Sequence, residues 1–207
     1  TAEIAKDLAL SCEQAGLNAS DKVSQGEGAS FSSHRNIRFY ANAHGFTAAT
    51  PSTRHSLSSV LIAQDEKGMQ RDYWYSIARN AKDLESALHI GEKAAERVVA
   101  RLNGQQLKTQ KAPVLMIPEI ARGLIGNLCS AVSGSSLYRQ SSFLLDSLGK
   151  QLLPEFVDFA EKPLVKGGLG SSWYDNEGIA TKEQLIIEQG VLNNYLLDSY
   201  SARRLNM

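Results

Sequence analysis

The four histidines are the residues of this chain with the clearest potential for metal chemistry. His34, His44 and His55 fall in a segment of turns and alternating residues, and His89 lies on the polar face of a predicted helix. A zinc site needs several imidazole or thiolate ligands that converge on one ion, and catalytic sites usually add a carboxylate base. A metal pair of His34 and His44 would require their strands to pair. We therefore interpret the four histidines as solvated or turn residues.

Other reactive groups give no specific signal either. The two cysteines, Cys12 and Cys129, are far apart, form no CxxC motif and are expected to be small buried residues of a reduced protein. No G-x-S-x-G nucleophile elbow is present. The glycine-rich segments at 26–28 and 167–170 lack the strand–loop–helix order and the lysine of a phosphate-binding loop, so we interpret them as turns.

Composition limits the classes of partner. The 207 residues contain 22 Lys and Arg and 22 Asp and Glu, evenly spread, so we expect no nucleic-acid partner. There is no apolar run of membrane-spanning length and no secretory leader, so we expect no membrane partner and a cytoplasmic location. The chain starts at Thr1 without an initiator methionine, inside a predicted amphipathic helix, and stops directly after the polar run at 201–206, which suggests an excised or truncated piece. A processed whole protein is the alternative.

The first half has two periodicities. Helical spacing predicts a first helix that ends at Gly16–Asn18. Alternation predicts an antiparallel meander of strands at residues 29–33, 36–41, 46–49, 57–63 and 70–78, with turns at 42–45, 50–53 and 65–68. An apolar stripe predicts a helix over 83–102, with Asp83 near its N-cap.

The second half is expected to follow a linker at 104–112. A buried strand at 114–117 is predicted to lead into a helix at 118–132, where Pro118 suits the first turn. Core segments are expected at 143–148 and 156–159, a glycine-rich loop at 166–172 and a hairpin at 184–197. The predicted class is α+β, with residues 1–103 as an antiparallel β-meander flanked by helices. Residues 113–207 are predicted to begin a second, β-rich, barrel-like domain that is truncated.

The strand and helix at residues 113–129 resemble the strand and helix that carry an HExxxH zinc motif in the PmbA/TldD family. Pro118 and Glu119 stand where the motif begins with His-Glu, and its second histidine falls on Arg122 or Gly123, depending on a one-residue gap. The resemblance extends over most of the chain, to residues 26–30, 39–45, 134–140, 143–149, 173–178 and 196–206. It is to the PmbA (TldE) type of chain, which lacks the zinc ligands at this helix.

The resemblance implies a function. It suggests a non-zinc-binding subunit of a cytosolic TldD/TldE-type heterodimeric metalloprotease that degrades peptides and unfolded protein segments. The zinc would then belong to the TldD-type partner, with no cofactor and no catalytic residue in this chain. The family was also named as candidate modulators of DNA gyrase. The chain's own status as an enzyme stays open, because the peptidase activity belongs to the family as a whole.

Two alternatives remain. One is a stand-alone regulatory protein that acts on gyrase or on a toxin–antitoxin system. The other is an enzyme with an unrecognised site near His34, Arg35, Asn42 and His44. On position alone, Pro118, Glu119, Arg122 and Gly123 are the degenerate motif positions, and Asp175, Asn176, Glu177 and Gly178 form a candidate loop for a peptide or a partner. The carboxylates at Glu119 and in this loop also have ordinary structural explanations, such as complementing a helix dipole.

Overall fold

The computed structural model describes residues 1–207, which form two compact units. The first unit contains Thr1–Thr109 and Gly167–Leu169, and the second contains Gln110–Lys166 and Gly170–Met207. The elements of the first unit are α1 (Ala2–Asn18), β1 (Val23–Ala41), β2 (Thr47–Asp65), β3 (Gly68–Ala78), a short 3₁₀ turn (Ala81–Asp83) and α2 (Ala87–Ala100).

The three strands of the first unit form one antiparallel sheet in the order β1-β2-β3. The strands predicted at 29–33 and 36–41 are one continuous strand, and so are those at 46–49 and 57–63. The turn predicted at 50–53 is wrong, because Pro51 lies inside β2 opposite Ile37. Proline is tolerated there because β3 pairs with β2 only as far as His55, which leaves β2 a free edge.

The other two turns of the meander are confirmed. Between β1 and β2, the side chain of Asn42 accepts hydrogen bonds from the backbone N–H groups of His44 and Phe46. Between β2 and β3, Asp65 accepts from the N–H groups of Lys67 and Gly68 in the same way. Both turns therefore follow from a short polar side chain that binds its own backbone.

Helices α1 and α2 cover one face of this sheet. The buried side chains of β2 alternate as Leu57, Ser59, Leu61 and Ala63, so every second residue faces the helices. The predicted N-cap of the second helix is wrong: Asp83 lies in the 3₁₀ turn, and the hydroxyl of Ser86 caps α2 by accepting from the N–H of His89. The predicted apolar stripe is buried at Gly91, Ala95, Val98 and Leu102, but Leu88 is 59% exposed, and Ile90 and Ala94 are buried instead.

Two glycines allow α1 and α2 to approach closely. Gly16 is buried inside the last turns of α1, and a Cβ there would lie 2.6 Å from Leu61 and 3.0 Å from the carbonyl of Gly91. A Cβ on Gly91 would overlap the carbonyl of Cys12 and lie 2.8 Å from the backbone nitrogen of Gly16. Gly16 thus belongs to a helix contact rather than only ending its helix. Burial in this contact region raises the pKa of the Cys12 thiol to about 11.

The second unit has shorter elements. These are α3 (Pro118–Ala131), α4 (Gly134–Tyr138), β4 (Phe159–Glu161), β5 (Gln184–Glu188), β6 (Val191–Leu192) and α5 (Ser199–Leu205), and its sheet has the antiparallel order β4-β5-β6. The predicted hairpin is confirmed at β5 and β6. Its two turn residues, Gln189 and Gly190, have φ of 47° and 78°, the left-handed pair that tight hairpins use.

One buried cluster holds the second unit together: Ala131, Val132, Leu144, Ile186, Ile187 and Leu192. The predicted core segments contribute only in part, since Leu144 is buried while Phe143 and Phe156 are 82% and 87% exposed. The helix predicted at 118–132 ends at Ala131, close to its predicted end, and the Ser133 hydroxyl then caps a further short helix, α4. The α+β class with antiparallel sheets is confirmed, and the barrel-like form stays a prediction. None of the helices contains an apolar stretch that could span a lipid bilayer.

Candidate functional site

Helix α3 carries the degenerate motif, but the strand predicted before it is wrong. Residues 113–117 belong to no strand, and Val114 and Leu115 are 74% and 99% exposed. No neighbouring strand of the chain pairs with this segment, so its apolar composition alone does not make it part of a sheet. The helix itself is confirmed at Pro118–Ala131. Proline occupies its first turn, and its N-cap residue, Ile117, makes no side-chain capping bond.

The four motif positions lie in the first two turns of α3. Pro118, Arg122 and Gly123 are exposed, and Glu119 is half-buried. Glu119 and Arg122 are three residues apart, so they share one face of the helix, and both residues have interaction partners. Glu119 also lies where a negative charge complements the helix dipole. The structure thus places one carboxylate and one guanidinium at the motif positions.

The apolar stripe of α3 is buried only at its C-terminal end. Ala131 and the adjoining Val132 belong to the core of the second unit, and Leu128 packs against it. Ile120 and Leu124 are 61% and 55% exposed. The N-terminal half of the motif helix therefore presents an uncovered apolar face, contiguous in sequence with the exposed residues 114–117.

The histidines do not gather around a common point. His34 lies on β1 opposite Arg54, and His44 lies in the turn after β1. The Nδ1 atom of His55 and the hydroxyl of Ser33 form a hydrogen bond of 3.0 Å. His89 lies on the exposed side of α2, and its Nε2 atom is 3.4 Å from a carboxylate oxygen of Glu85. Nowhere in residues 1–207 do three His, Cys, Asp or Glu side chains form a group suited to a metal ion.

The candidate loop at 175–178 is a tight turn. One carboxylate oxygen of Asp175 accepts hydrogen bonds from the N–H groups of Glu177 and Ile179, at 2.8 and 2.9 Å. Gly178 has a φ of 79°, which suits glycine. Asn176 is exposed, and the carboxylate of Glu177 accepts from the N–H of Ser199 at 2.8 Å. The two carboxylates thus bind main-chain groups of the turn and of the first residue of α5.

The N-terminus of α5 is a polar junction that the sequence reasoning missed. Asp198 is the N-cap and forms a capping box with Ser201, whose hydroxyl donates to the Asp198 carboxylate at 2.6 Å. The hydrogen bonds from the Ser201 hydroxyl and backbone hold the pKa of Asp198 below its ordinary value. Gly134 of α4 lies so close that a Cβ would overlap the Ser201 hydroxyl. The spacing Asp198-x-x-Ser201 was the available signal.

Comparisons with known proteins match nearly the whole chain to one family. The profile of the PmbA/TldA metallopeptidase central domain matches residues 1–102, and that of the C-terminal domain of the same proteins matches residues 109–207. Metalloprotease PmbA of Escherichia coli O157:H7 is 45% identical over 201 residues, which cover 97% of this chain and 45% of that protein. The chain thus spans a little under half the length of the curated relatives it matches.

Solved structures give the same picture for the fold. A candidate modulator of DNA gyrase from Bacteroides thetaiotaomicron superposes with a TM-score of 0.94 at 27% identity, over 100% of this chain and 47% of that one. TldE from Thermococcus kodakarensis superposes with a TM-score of 0.80 at 18% identity, over 97% of this chain and 46% of that one. The second likeness concerns the fold alone.

Proposed function

The chain belongs to the PmbA/TldD metallopeptidase family, and on this premise we propose that it is part of a non-zinc-binding subunit of a TldD/TldE-type protease. The complex would act on peptides and unfolded protein segments in the cytoplasm. The TldD-type partner would hold the zinc and carry out the hydrolysis. This chain would contribute binding surface to the shared site.

The observation that carries the proposal is the set of side chains at the start of α3. Zinc in proteins is bound by imidazole, thiolate and carboxylate groups. Of the motif positions Pro118, Glu119, Arg122 and Gly123, only Glu119 offers such a group, and Arg122 adds a positive charge on the same helix face. These residues do not fit a zinc ion, so no catalytic step is assigned to a metal at this helix.

Two features favour a role in holding an extended peptide. β1 pairs with β2 on one side only, so its other edge offers main-chain groups along a strand of 19 residues. Extended peptides bind to such edges by strand addition, which reads little side-chain identity. The uncovered apolar face of α3 and residues 114–117 would provide a second surface for unfolded segments, which are rich in exposed apolar groups.

The test is zinc content and peptidase activity of the full-length protein, alone and mixed with a TldD-type subunit. We expect both zinc and cleavage of an unfolded substrate such as casein only when the TldD-type subunit is present, with cleavage raised by adding this protein. Stoichiometric zinc and cleavage by this protein alone would contradict the proposal.

A substitution at α3 sharpens the test. Glu119→Gln removes the one group at the motif that could serve as a base. We expect this change to alter the activity of the mixture by less than about twofold. Glu155→Gln, at an exposed position outside the motif, is the control. A general base contributes about 100-fold or more. A loss of that size for Glu119→Gln only would place catalysis in this chain.

A second candidate function follows from the name of one structural relative. The protein from Bacteroides thetaiotaomicron is described as a candidate modulator of DNA gyrase. A stand-alone protein that binds gyrase, or a component of a toxin–antitoxin system, would need no TldD-type partner. Affinity capture of purified gyrase by this protein, without any TldD-type subunit, would favour this function over the proteolytic one.

A further inference from the structure

The outer part of the β1–β2 hairpin extends beyond the rest of its sheet. We call residues 34–54 the outer arm. Eight residue pairs, from His34 opposite Arg54 to Ala41 opposite Thr47, lie past the point where β3 stops pairing with β2. At about 3.4 Å per residue the arm is about 27 Å long. A two-stranded ribbon of this kind is marginally stable by itself, so a further contact would stabilise it.

One face of the outer arm continues the apolar face of the core. Leu57 and Phe31 are opposite each other and pack in the core under the helices. The alternation carries the same face outward to Ile37 opposite Pro51 and to Phe39 opposite Ala49. Along the arm this face loses its cover: Ile37 is 53% exposed and Phe39 is 75% exposed.

The charge of the outer arm is entirely positive. From Ala29 to Gln64 the sequence contains no Asp or Glu, although the whole chain is neutral with 22 acidic residues. The arm contains Arg35, Arg38, Arg54, His34 and His44. Arg35 borders the apolar face, and Arg54 lies on the opposite face. The complement of such a surface is an apolar patch rimmed by carboxylates.

The positive charge and the few aromatic rings of the outer arm also argue against two other binding partners. Two copies of the arm would repel each other, because both are cationic. Single-stranded nucleic acid requires exposed aromatic rings beside cations. Here Phe39 is the only aromatic residue on the apolar face, and the rings of Tyr40 and Phe46 pack on each other with centroids 5.8 Å apart.

We propose that the outer arm is the docking element by which this chain grips its protein partner, at an apolar patch of that partner with an acidic rim. The inference rests on the proposed function, because the partner is the TldD-type subunit. Phe39 and Ile37 enter the apolar patch, and Arg35, on the same face of the arm, pairs with the carboxylates around it.

The test measures binding of the purified TldD-type subunit to the full-length protein by sedimentation velocity. Phe39→Thr keeps a residue suited to a strand and is expected to weaken binding at least about tenfold, since large buried anchors dominate interfaces. Phe156→Thr is the matched control, because Phe156 is 87% exposed and lies outside the arm. The control is expected to bind as the unaltered protein does.

The charge component has its own pair of variants. Binding of the unaltered protein should weaken as NaCl rises from about 50 to about 300 mM, because salt screens exposed charges. Arg35→Glu should weaken binding at low salt and reduce this dependence. Lys108→Glu makes the same change of charge at an exposed position in residues 104–112 and should bind normally.

The outcomes separate the two proposals. If the unaltered protein does not bind the subunit, the proposed function and this inference both fail. If it binds and the arm variants bind equally well, only this inference fails. The inference would be overturned if the unaltered protein bound a single-stranded oligonucleotide, or associated with itself, and Phe39→Thr abolished that binding or self-association. The inference would also be overturned if Phe39→Thr lowered the thermal stability of the free protein without changing subunit binding. The arm would then be covered by the protein's own chain.

Discussion

The two units differ in how far the apolar residues of their helices and strands are buried. In the first unit, the periodic apolar residues of β2 and α2 are buried, with Leu57, Leu61 and Ile90 at most 2% exposed. In the second unit, Ile120 and Leu124 on α3 follow an equally clear stripe and are more than half exposed. The difference shows that periodicity determines which residues share a face, whereas burial requires a second element that covers this face.

The reason lies in the size of the layers. The first unit has a three-stranded sheet with long strands and two helices that lie across it, so sheet and helices cover each other. The second unit has strands of five residues or fewer, and its one buried cluster reaches only the C-terminal end of α3. Within residues 1–207, the buried cluster of the second unit does not reach the N-terminal half of this 14-residue helix.

The largest expected effect separates the cores of the two units. Leu61→Ala removes a fully buried side chain and should lower the free energy of unfolding by about 3 to 4 kcal/mol. Ile120→Ala, at an exposed position of α3, should change it by less than about 0.5 kcal/mol. Urea unfolding of the full-length protein checks both. A large loss for Ile120→Ala would mean that something outside residues 1–207 covers α3.

Helical glycines give the next comparison. Gly91→Ala would place a Cβ against the backbone of Cys12 and Gly16, which cannot move without parting the helices, so we expect a loss of about 2 to 3 kcal/mol. Gly126→Ala in α3 meets nothing within 4 Å and should stabilise the helix by about 0.5 to 1 kcal/mol. The same substitution thus has opposite signs in the two units. Thermal unfolding measures both, and equal effects would contradict the close helix contact.

The smallest expected effect concerns the cap of α5. Asp198→Ala should destabilise the second unit by about 1 kcal/mol at neutral pH, because Asp198 satisfies the N–H of Ser201. The folded-state pKa of Asp198 lies below its ordinary value of 3.8, so the ionised cap stabilises the fold above that pH. This stabilisation is lost as the pH falls through the lowered pKa.

The measurement is the difference in melting temperature between the unaltered protein and Asp198→Ala, from pH 7 down to pH 3. The difference should be constant at neutral pH and shrink at the acidic end. Asp198→Asn is the control, since an asparagine can still cap and does not titrate. A difference that grows towards acidic pH would show that the sign of the pKa shift is wrong.

Local chemistry made several elements predictable. The turns at Asn42 and Asp65, the first-turn proline of α3 and the hairpin at Gln189–Gly190 follow from interactions within a few residues. The predictions were wrong where contacts with residues distant in sequence determine the structure. The merging of predicted strands through Pro51 depends on where β3 ends, and the exposure of residues 114–117 depends on which strands reach them. Neither can be read from the segment itself.

The candidate site divides in the same way. The sequence by itself determined that the motif positions on α3 hold Pro118, Glu119, Arg122 and Gly123, because residue identity fixes which groups can bind a metal. Only the tertiary structure decided that the Glu177 carboxylate binds the backbone of α5 and that the outer arm extends past β3 with Phe39 exposed. These depend on contacts between residues far apart in sequence, and local patterns cannot specify which surfaces the fold leaves uncovered.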